Sequence, residues 1–281
     1  MSLQNGREVE LHDVLIPVYN GDSHLELTLQ NILSQTYPNI RVIVSDNAST
    51  DKTPEILEKY SDDPRVKLIR NDKNIGMFGN WNLLLDKVEA PTFTLISHDD
   101  MFADQEVLKR AIELLARETD SAAVFSDISY IDERGSIIKT RKFQRGTHFQ
   151  ASEWMRCSLL TCRNQFGLPI VIRSNAVKNI RFDERLRYGA DLGYAINVAR
   201  QGKNALHISE PLFFYRVHMT SNTLKAQRHA LADMRLIGQW YGVEFTSFQR
   251  LQQLVNFWST TALRTTALIA SSLIMKFGRD R

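Results

Sequence analysis

Two adjacent acids, Asp99 and Asp100, close the run Thr92-Phe93-Thr94-Leu95-Ile96-Ser97-His98 and carry the clearest chemistry in the chain. Thr92 to Ile96 is β-rich and apolar, so it reads as a short buried strand. Charge following at once puts both carboxylates at the strand's carboxyl end, the edge of an open α/β sheet where ligands bind. Paired hard oxygens there suit a divalent cation, Mg2+ or Mn2+, holding a diphosphate. The same pair also suits a solvated loop whose acids cap the next helix, because such pairs occur in ordinary turns. A second candidate is Asp191. After Gly189, residues Leu192, Ala195, Ile196 and Ala199 share one helical face, which puts Asp191 in that helix's first turn. A carboxylate there answers the helix dipole, whatever else it does. His218 is a third candidate, as metal ligand, diphosphate contact or structural histidine.

The elements that must position these groups alternate regularly. Val14-Leu15-Ile16-Pro17-Val18 is a compact apolar run that ends in Tyr19-Asn20-Gly21, a buried strand entering a loop. Ser23-x-x-Glu26 forms a capping box for a helix with Leu25, Leu29, Ile32 and Leu33 on one face. Ile40 to Ser45 is the second strand, followed by the polar loop Asp46-Asn47-Ala48-Ser49-Thr50-Asp51. Thr53-Pro54 starts a helix, Val66 to Arg70 is a third strand, and Asn71 to Gly76 is a turn-rich connection. Phe78 to Val88 is helical, and Thr92 to Ile96 is the fourth strand. This β-α-β-α-β-α-β order with short links predicts a parallel, doubly wound sheet.

Further on, Asp104 caps a helix with Val107, Leu108, Ala111, Ile112 and Leu115 as its apolar stripe. Ala122 to Phe125 and Ser129 to Ile131 read as two strands, and Asp132-Glu133-Arg134-Gly135 turns into Ser136-Ile137-Ile138 as a hairpin. Lys139 to His148 reads as a basic loop, either over the site or simply solvated. Ala151 to Cys162 is helix-like and Pro169 to Arg173 a short strand; Ala205 to Ile208 and Pro211 to His218 read as two more strands. From Lys225 no strand pattern remains, and Leu251, Leu254, Val255, Trp258, Ala262, Ile269 and Leu273 keep a helical period. Leu268 to Met275 falls short of the ~20 apolar residues that span a bilayer. With Lys276, Arg279 and Arg281 behind it, that helix suits an anionic membrane surface, and equally packing on the core or on a second copy.

The whole chain narrows the classes. Its 281 residues, 43% hydrophobic and 24% charged, are those of an ordinary globular protein with room for a sizeable core. A net charge of +3 with no block of Lys or Arg does not argue for nucleic acid. Two cysteines, Cys157 and Cys162, make no disulfide framework, which favours a reducing compartment. The polar start from Met1 to Asp13 is no signal peptide, and the expected location is cytoplasmic. No GxGxxG follows the first strand and no GxxxxGK[ST] occurs, which argues against a standard dinucleotide site or P-loop, and bound phosphates then need a metal to offset their charge.

Five stretches in order and spacing carry a family resemblance over about residues 14 to 102. They are Val14 to Asn20; Ser34-Gln35-Thr36-Tyr37-Pro38-Asn39-Ile40; Ser45 to Asp51; Asn74-Ile75-Gly76 with Asn80 and Asn82; and Ser97-His98-Asp99-Asp100. The chain resembles the inverting nucleotide-sugar glycosyltransferases of family 2. That resemblance implies an α/β fold, a GT-A-type, Rossmann-like three-layer domain with a mostly parallel central sheet, plus C-terminal helices. It implies a donor-binding half at 1–102, an acceptor-binding half with the catalytic base at 103–222, and a helical extension at 223–281.

The resemblance also implies roles. Pro17, Val18, Tyr19 and Asn20 would lie against the nucleoside, and Asp46 would accept a hydrogen bond from the base edge, as a carboxylate can only accept. An Asx-turn organising the loop is the other reading of Asp46. Asn74 and Gly76 would line the opposite wall. Asp99 matches the metal-ligating position of the family's DxD motif, with Asp100 beside it and His218 a further ligand; the metal would be Mn2+ or Mg2+. Asp191 matches the acid that acts as base, while Tyr215-Arg216-x-His218 followed by Ser221 resembles the tail of the catalytic domain. Three departures stand out: Ser97 where many relatives carry the motif's first Asp, Trp81 where many carry Arg, and Ala190 in place of Glu. The first leaves the ribose contact open, with His98 as the candidate to take it over.

The expected activity is transfer of a single sugar from a nucleotide-sugar donor to a hydroxyl of a saccharide or lipid-linked acceptor, in cell-surface polysaccharide or glycolipid synthesis. A processive synthase would carry Gln-x-x-Arg-Trp and membrane spans. A sugar nucleotidyltransferase would open with a Gly-rich, Arg-containing loop where Pro17 to Gly21 stands. A non-catalytic nucleotide-sugar-binding module is the remaining alternative, allowed by Ser97 and Ala190.

Overall fold

The computed structural model describes residues 3–4, 7–143, 147–161, 164, 167–202, 204–217, 227–244, 246, 249–250 and 253–254. The first strand of the central sheet, β1 (His12–Val18), is buried along its whole length. It alternates between two cores: Leu15 belongs to one, and Val14, Ile16 and Val18 to the other. Such alternation is what a strand with both faces covered by helices requires. After β1 come α1 (Leu25–Leu33), β2 (Ile40–Asp46), α2 (Thr53–Glu58), β3 (Val66–Arg70), α3 (Met77–Leu85) and β4 (Thr92–Leu95). The two-residue β5 (Met101–Phe102), α4 (Val107–Arg117), the long β6 (Ser121–Ile131), β7 (Ile137–Arg141), β8 (His148–Phe149) and α5 (Ala151–Thr161) follow. The order ends with β9 (Val171–Arg173), α6 (Ala190–Ala199), β10 (Asn204–Arg216) and α7 (Ala230–Trp240). Residues of α1, α2 and α4 pack in the core with Val14, and residues of α3, α5, α6 and α7 in the core with Leu15. The result is three layers, helix on sheet on helix.

The central sheet runs β8-β10-β6-β9-β4-β1-β2-β3, with β5 paired to β10 and β7 to β6. The pairs β1–β2, β1–β4, β2–β3 and β6–β10 are parallel. β9 is antiparallel to both β4 and β6, so those two strands also point the same way. All six long or central parallel strands therefore present their carboxyl ends at one edge. The chain order reverses between β1 and β4, because β2 and β3 are added on one side of β1 and β4 on the other. That reversal opens a crevice at the carboxyl edge. The β1–β4 ladder stops at Leu15↔Leu95 while β1–β2 continues to Val18↔Asp46. Pro17 thus sits past the point where its missing N–H would break the ladder to β4.

Several local expectations are revised. The Ser23 capping box does not form: α1 starts at Leu25 with His24 as N-cap, and the Ser23 hydroxyl donates to Asp22. Asp104 does not cap α4 directly; it accepts from the Glu106 N–H, one turn earlier. The two strands read at 122–131 are one, β6, and those read at 205–218 are one, β10, with register shifts on either side of Pro211. Cys162 and the helical stretch from Val255 onward lie outside the described residues.

Candidate active site

The crevice between β1 and β4 is walled by two short loops held very close. A Cβ on Gly21 would lie 2.5 Å from His98 Cδ2 and 2.6 Å from Val18 Cγ2, so only glycine lets the loops meet. Asn20 adopts φ 51°, and its side-chain Oδ1 accepts from the Thr50 N–H at 2.9 Å while its own N–H donates to Ser49 Oγ at 2.9 Å. The Val18 carbonyl accepts from the Asn47 N–H at 2.9 Å. The loops after β1 and β2 are thereby locked to each other, with Tyr19 exposed between them.

Asp46 ends β2 and is 1% exposed. Its Oδ1 accepts from the Ser49 N–H at 2.9 Å, the loop-organising role. Its Oδ2 is buried without a hydrogen-bond partner among the described residues, and Arg70 Nε stands 3.6 Å away. The opposite wall is stapled by Asn47, whose Nδ2 donates to Asn74 Oδ1 at 3.0 Å and to the Gly76 carbonyl at 3.1 Å. Gly76 has φ 83°, which favours glycine, and its N–H donates to Asn74 Oδ1. Asn80 and Asn82 are framework: Asn80 bonds Ser45 through both side chain and backbone, and Asn82 exchanges two bonds with Phe182.

After β4, residues Ser97, His98 and Asp99 are half-buried and Asp100 is buried. Thr28 of α1 holds this turn, its hydroxyl lying 2.8 Å from the His98 carbonyl and 3.0 Å from that of Asp100. Arg216, at the end of β10, holds it from the other side: Nε donates to the Asp99 carbonyl at 3.0 Å and its N–H to Asp100 Oδ1 at 3.0 Å. Arg216 Nη1 also reaches the carbonyls of Asp132 and Glu133, so one buried guanidinium joins three chain segments. Asp100 is pushed well above the ordinary carboxylate range by burial, then by the neighbouring Asp99 charge. Of the expected acid pair, Asp100 is buried in this turn with Oδ1 accepting from the Arg216 backbone N–H, whereas Asp99 is half-buried.

Among the described residues no three His, Cys, Asp or Glu side chains gather as a preformed metal site. A single half-buried carboxylate at a sheet edge still fits Mg2+ or Mn2+, which take one or two protein carboxylates and complete their shell with substrate phosphates and water. Asp99 would be that ligand. His218 lies outside the described residues.

Asp191 stands in the first turn of α6, with Gly189 as N-cap. Its Oδ2 accepts from Asn164 Nδ2 at 3.0 Å. The Asn164 carbonyl in turn accepts from Arg141 Nη1 at 3.0 Å, and Asn164 Nδ2 also reaches the Gly167 carbonyl at 3.0 Å. Arg141 is in register with Ile128 in the second half of β6. Since β6 runs with β4, Asp191 belongs to the same sheet edge as Asp99 and Asp46. The sequence alone points to neither Thr28 nor Asn164, and to Arg216 only as part of Tyr215-Arg216-x-His218, with no role for its guanidinium. Of the first two only Thr28 left a signal: with Asn31 and Gln35 it forms a polar stripe at helical spacing, and all three bond to the segment 98–108.

Comparison with known proteins agrees with this geometry. Residues 13–186 match the model of glycosyl transferase family 2. An Escherichia coli protein, UDP-Glc:alpha-D-GlcNAc-diphosphoundecaprenol beta-1,3-glucosyltransferase WfaP, is 26% identical over 213 residues, 76% of this chain and 80% of its own length. Two uncharacterized glycosyltransferases of Haemophilus influenzae are matched over 64% and 66% of their own length. Among solved structures, Staphylococcus aureus TarS 1-349 in complex with UDP-GlcNAc superposes with a TM-score of 0.64 at 17% identity, covering 88% of this chain and 80% of that one. The mannosyltransferase PcManGT of Pyrobaculum calidifontis, in complex with GDP-Man and Mn2+, gives a TM-score of 0.58 at 15% identity over 95% and 87%. These two share the fold. With a family match that takes in β1, the Asp46 loop, the Asn74–Gly76 turn and the Asp99 turn in sequence, the chain belongs to glycosyl transferase family 2.

Proposed function

We propose that the protein is an inverting glycosyltransferase that moves one sugar from a nucleoside-diphosphate sugar to a hydroxyl acceptor, with Mn2+ or Mg2+ held at Asp99. The observation that carries this reading is Asp46 Oδ2, a buried carboxylate oxygen at the carboxyl edge of the sheet with no hydrogen-bond partner among the described residues. An oxygen in that state is costly to keep unless a ligand donor completes it. A base N–H is such a donor, and a carboxylate oxygen can only accept. Asn74 and Gly76 form the facing wall, and Val18 to Asn20 the floor.

Asp191 is the base in this reading. One-step displacement at the anomeric carbon needs an acceptor hydroxyl relieved of its proton as it attacks, and a positioned carboxylate can take that proton. Asn164 fixes one Asp191 oxygen and so sets the direction of the other. Attack from the face opposite the diphosphate inverts the centre. The bound cation supplies charge neutralisation of the departing diphosphate. UDP-sugar donors are supported by the TarS complex, and a lipid-linked glycan acceptor by the name of the Escherichia coli relative. Such an acceptor would bring the protein to the cytoplasmic face of a membrane as a peripheral enzyme; no helix among the described residues is long and apolar enough to cross one.

The test is a thermal-shift panel of UDP-, GDP- and dTDP-sugars with and without Mn2+, since a ligand that binds only the folded state raises the melting temperature. One nucleotide class stabilises, the shift needs the metal, and Asp99→Ala abolishes it. Asp191→Asn keeps the shift but lowers turnover by about 10²–10⁴-fold. Equal shifts without metal, or full turnover in Asp191→Asn, defeat the reading.

A further inference from the structure

The proposed base sits at the start of α6, and nothing in α6 itself fixes the approach to that helix. The three residues before it are the exposed Arg187, the half-buried Tyr188 and the buried Gly189, and their backbone N–H donors need partners as the chain enters the helix. They are answered from far along the chain. Asp233 of α7 places one oxygen, Oδ2, at 2.8 Å from the Arg187 N–H, 2.6 Å from that of Tyr188 and 2.9 Å from that of Gly189. Asp233 is 6% exposed, so these are charge-assisted bonds away from competing water. α7 lies close on this turn: a Cβ on Gly189 would come within 3.0 Å of Ile237 Cδ1 and 3.3 Å of Met234 Cε. It is also tied along α6, with Tyr241 Oη donating to Asn197 Oδ1 at 2.6 Å and the Arg200 guanidinium 4.9 Å from the Tyr241 ring centre. A cation–π contact of Arg185 with Trp240, at 4.8 Å, pins the segment leading into the turn.

We propose that Asp233 is a positioning residue for the transfer reaction, gathering three consecutive backbone N–H groups so that the first turn of α6 presents Asp191 in one orientation. The inference rests on Asp191 being the base. Both α6 and α7 lie beyond residues 13–186, so the helix after the family-matched segment completes the site rather than decorating it. Asp191 is two residues past Gly189, and Asn164 holds one of its oxygens. With the approach fixed by Asp233 and the carboxylate by Asn164, the base has little freedom left. A displacement of about 1 Å at such a group costs on the order of 10²-fold in rate.

The full-length protein is assayed for nucleoside-diphosphate release with Mn2+ and the UDP-, GDP- or dTDP-sugar that wild type turns over fastest. Asp233→Ala is expected to lower kcat by about 10- to 100-fold while donor KM stays within about twofold. Hydrogen exchange speeds up at the amides of residues 187–189. Asp233→Asn keeps an acceptor oxygen at the same reach, but a neutral one with roughly half the bond strength, and lowers kcat less than alanine does, by about three- to tenfold. If Asp233→Ala does not fold, Asp233→Asn alone decides: a kcat at least about threefold down with faster exchange supports the proposal. Wild-type kcat in the folded variants, or a loss confined to donor KM, overturns it. Turnover that survives in Asp191→Asn, or no release by wild type with any donor, defeats the underlying reading and takes this inference with it. Lost turnover in Asp191→Asn beside unchanged Asp233 variants defeats this inference alone.

Discussion

The two edges of the central sheet handle buried charge in opposite ways. At the amino edge, Asp13 at the start of β1 is fully buried and fully used: Arg41 Nε and Nη2 meet its two oxygens at 2.8 and 2.9 Å, and the N–H groups of Glu89 and Ala90 add bonds at 2.9 and 3.0 Å. His12 beside it is clamped between the hydroxyls of Thr92 and Thr94, each at 2.9 Å. Thr94 donates its one proton to the Ile170 carbonyl, so it accepts from His12 Nε2–H, and Nδ1 accepts from Thr92. At the carboxyl edge Asp46 is as deeply buried, yet among the described residues one of its oxygens has no hydrogen-bond partner. A closed network contributes to stability; under the proposed function, the open one is completed by a donor from the nucleotide.

Substituting the two aspartates separates these roles most sharply. Asp13→Ala leaves the Arg41 charge and two buried N–H groups unanswered, and should cost about 3 kcal/mol in urea unfolding with donor affinity per folded molecule unchanged. Asp46→Ala removes one loop bond and a long ion pair with the half-exposed Arg70, and should cost about 1 kcal/mol in stability. It should weaken nucleotide-sugar affinity by about tenfold or more, read by calorimetry. The reverse pattern, donor affinity falling in Asp13→Ala and stability in Asp46→Ala, would break the contrast between the edges.

A weaker effect follows from His12. Burial pushes its pKa from 6.5 down to about 3, with the Asp13 charge acting only partly against it. The unfolded chain thus binds the proton more readily. Stability contributed by the neutral ring is present above about pH 6.5 and is lost as pH falls towards about 3. Between those limits His12 alone should add a slope approaching about 1.4 kcal/mol per pH unit, and His12→Gln should flatten the curve by that amount. Denaturant midpoints of the two proteins between pH 6 and pH 4 measure it (roughly the window where linkage acts). Parallel curves would show that the amino edge tolerates a charged imidazole.

How far the sequence foretold these edges depends on the range of the contacts. Strands β1, β2, β3 and β4 were legible because each is a short apolar run closed by turn residues, and so were the loops that carry Asp46, Asn74 and Asp99. From sequence alone β6 reads as two strands because Ser126 and Asp127 interrupt the apolar run. The structure buries Asp127 at 1% exposure against His207 Nε2, 3.1 Å away, and the Phe143 N–H, which no local pattern announces. In β10 the Ser209-Glu210-Pro211 signal for a turn is real, but the sheet absorbs it as a register shift. Asp100 was assigned by adjacency to Asp99, whereas its partner Arg216 is 116 residues away. Asp233 and its three N–H donors are separated by 44 to 46 residues. Long-range polar pairings of this kind follow from topology, and a single sequence does not encode them in any spacing.

The smallest test sits where framework and site meet. Thr28 belongs to the buried framework at 1% exposure, yet the groups it bonds are the backbone carbonyls of His98 and Asp100, either side of Asp99. Thr28→Val keeps the shape and removes the hydroxyl, leaving two carbonyls short of a donor for about 1 kcal/mol of stability. If the carboxyl edge is a ligand site whose turn needs holding, metal-dependent donor binding should weaken a few-fold beyond what that lost stability explains. A drop in stability with unchanged metal dependence would instead put Thr28 with Asp13 and His12, as a group that holds the sheet and does nothing for the cation.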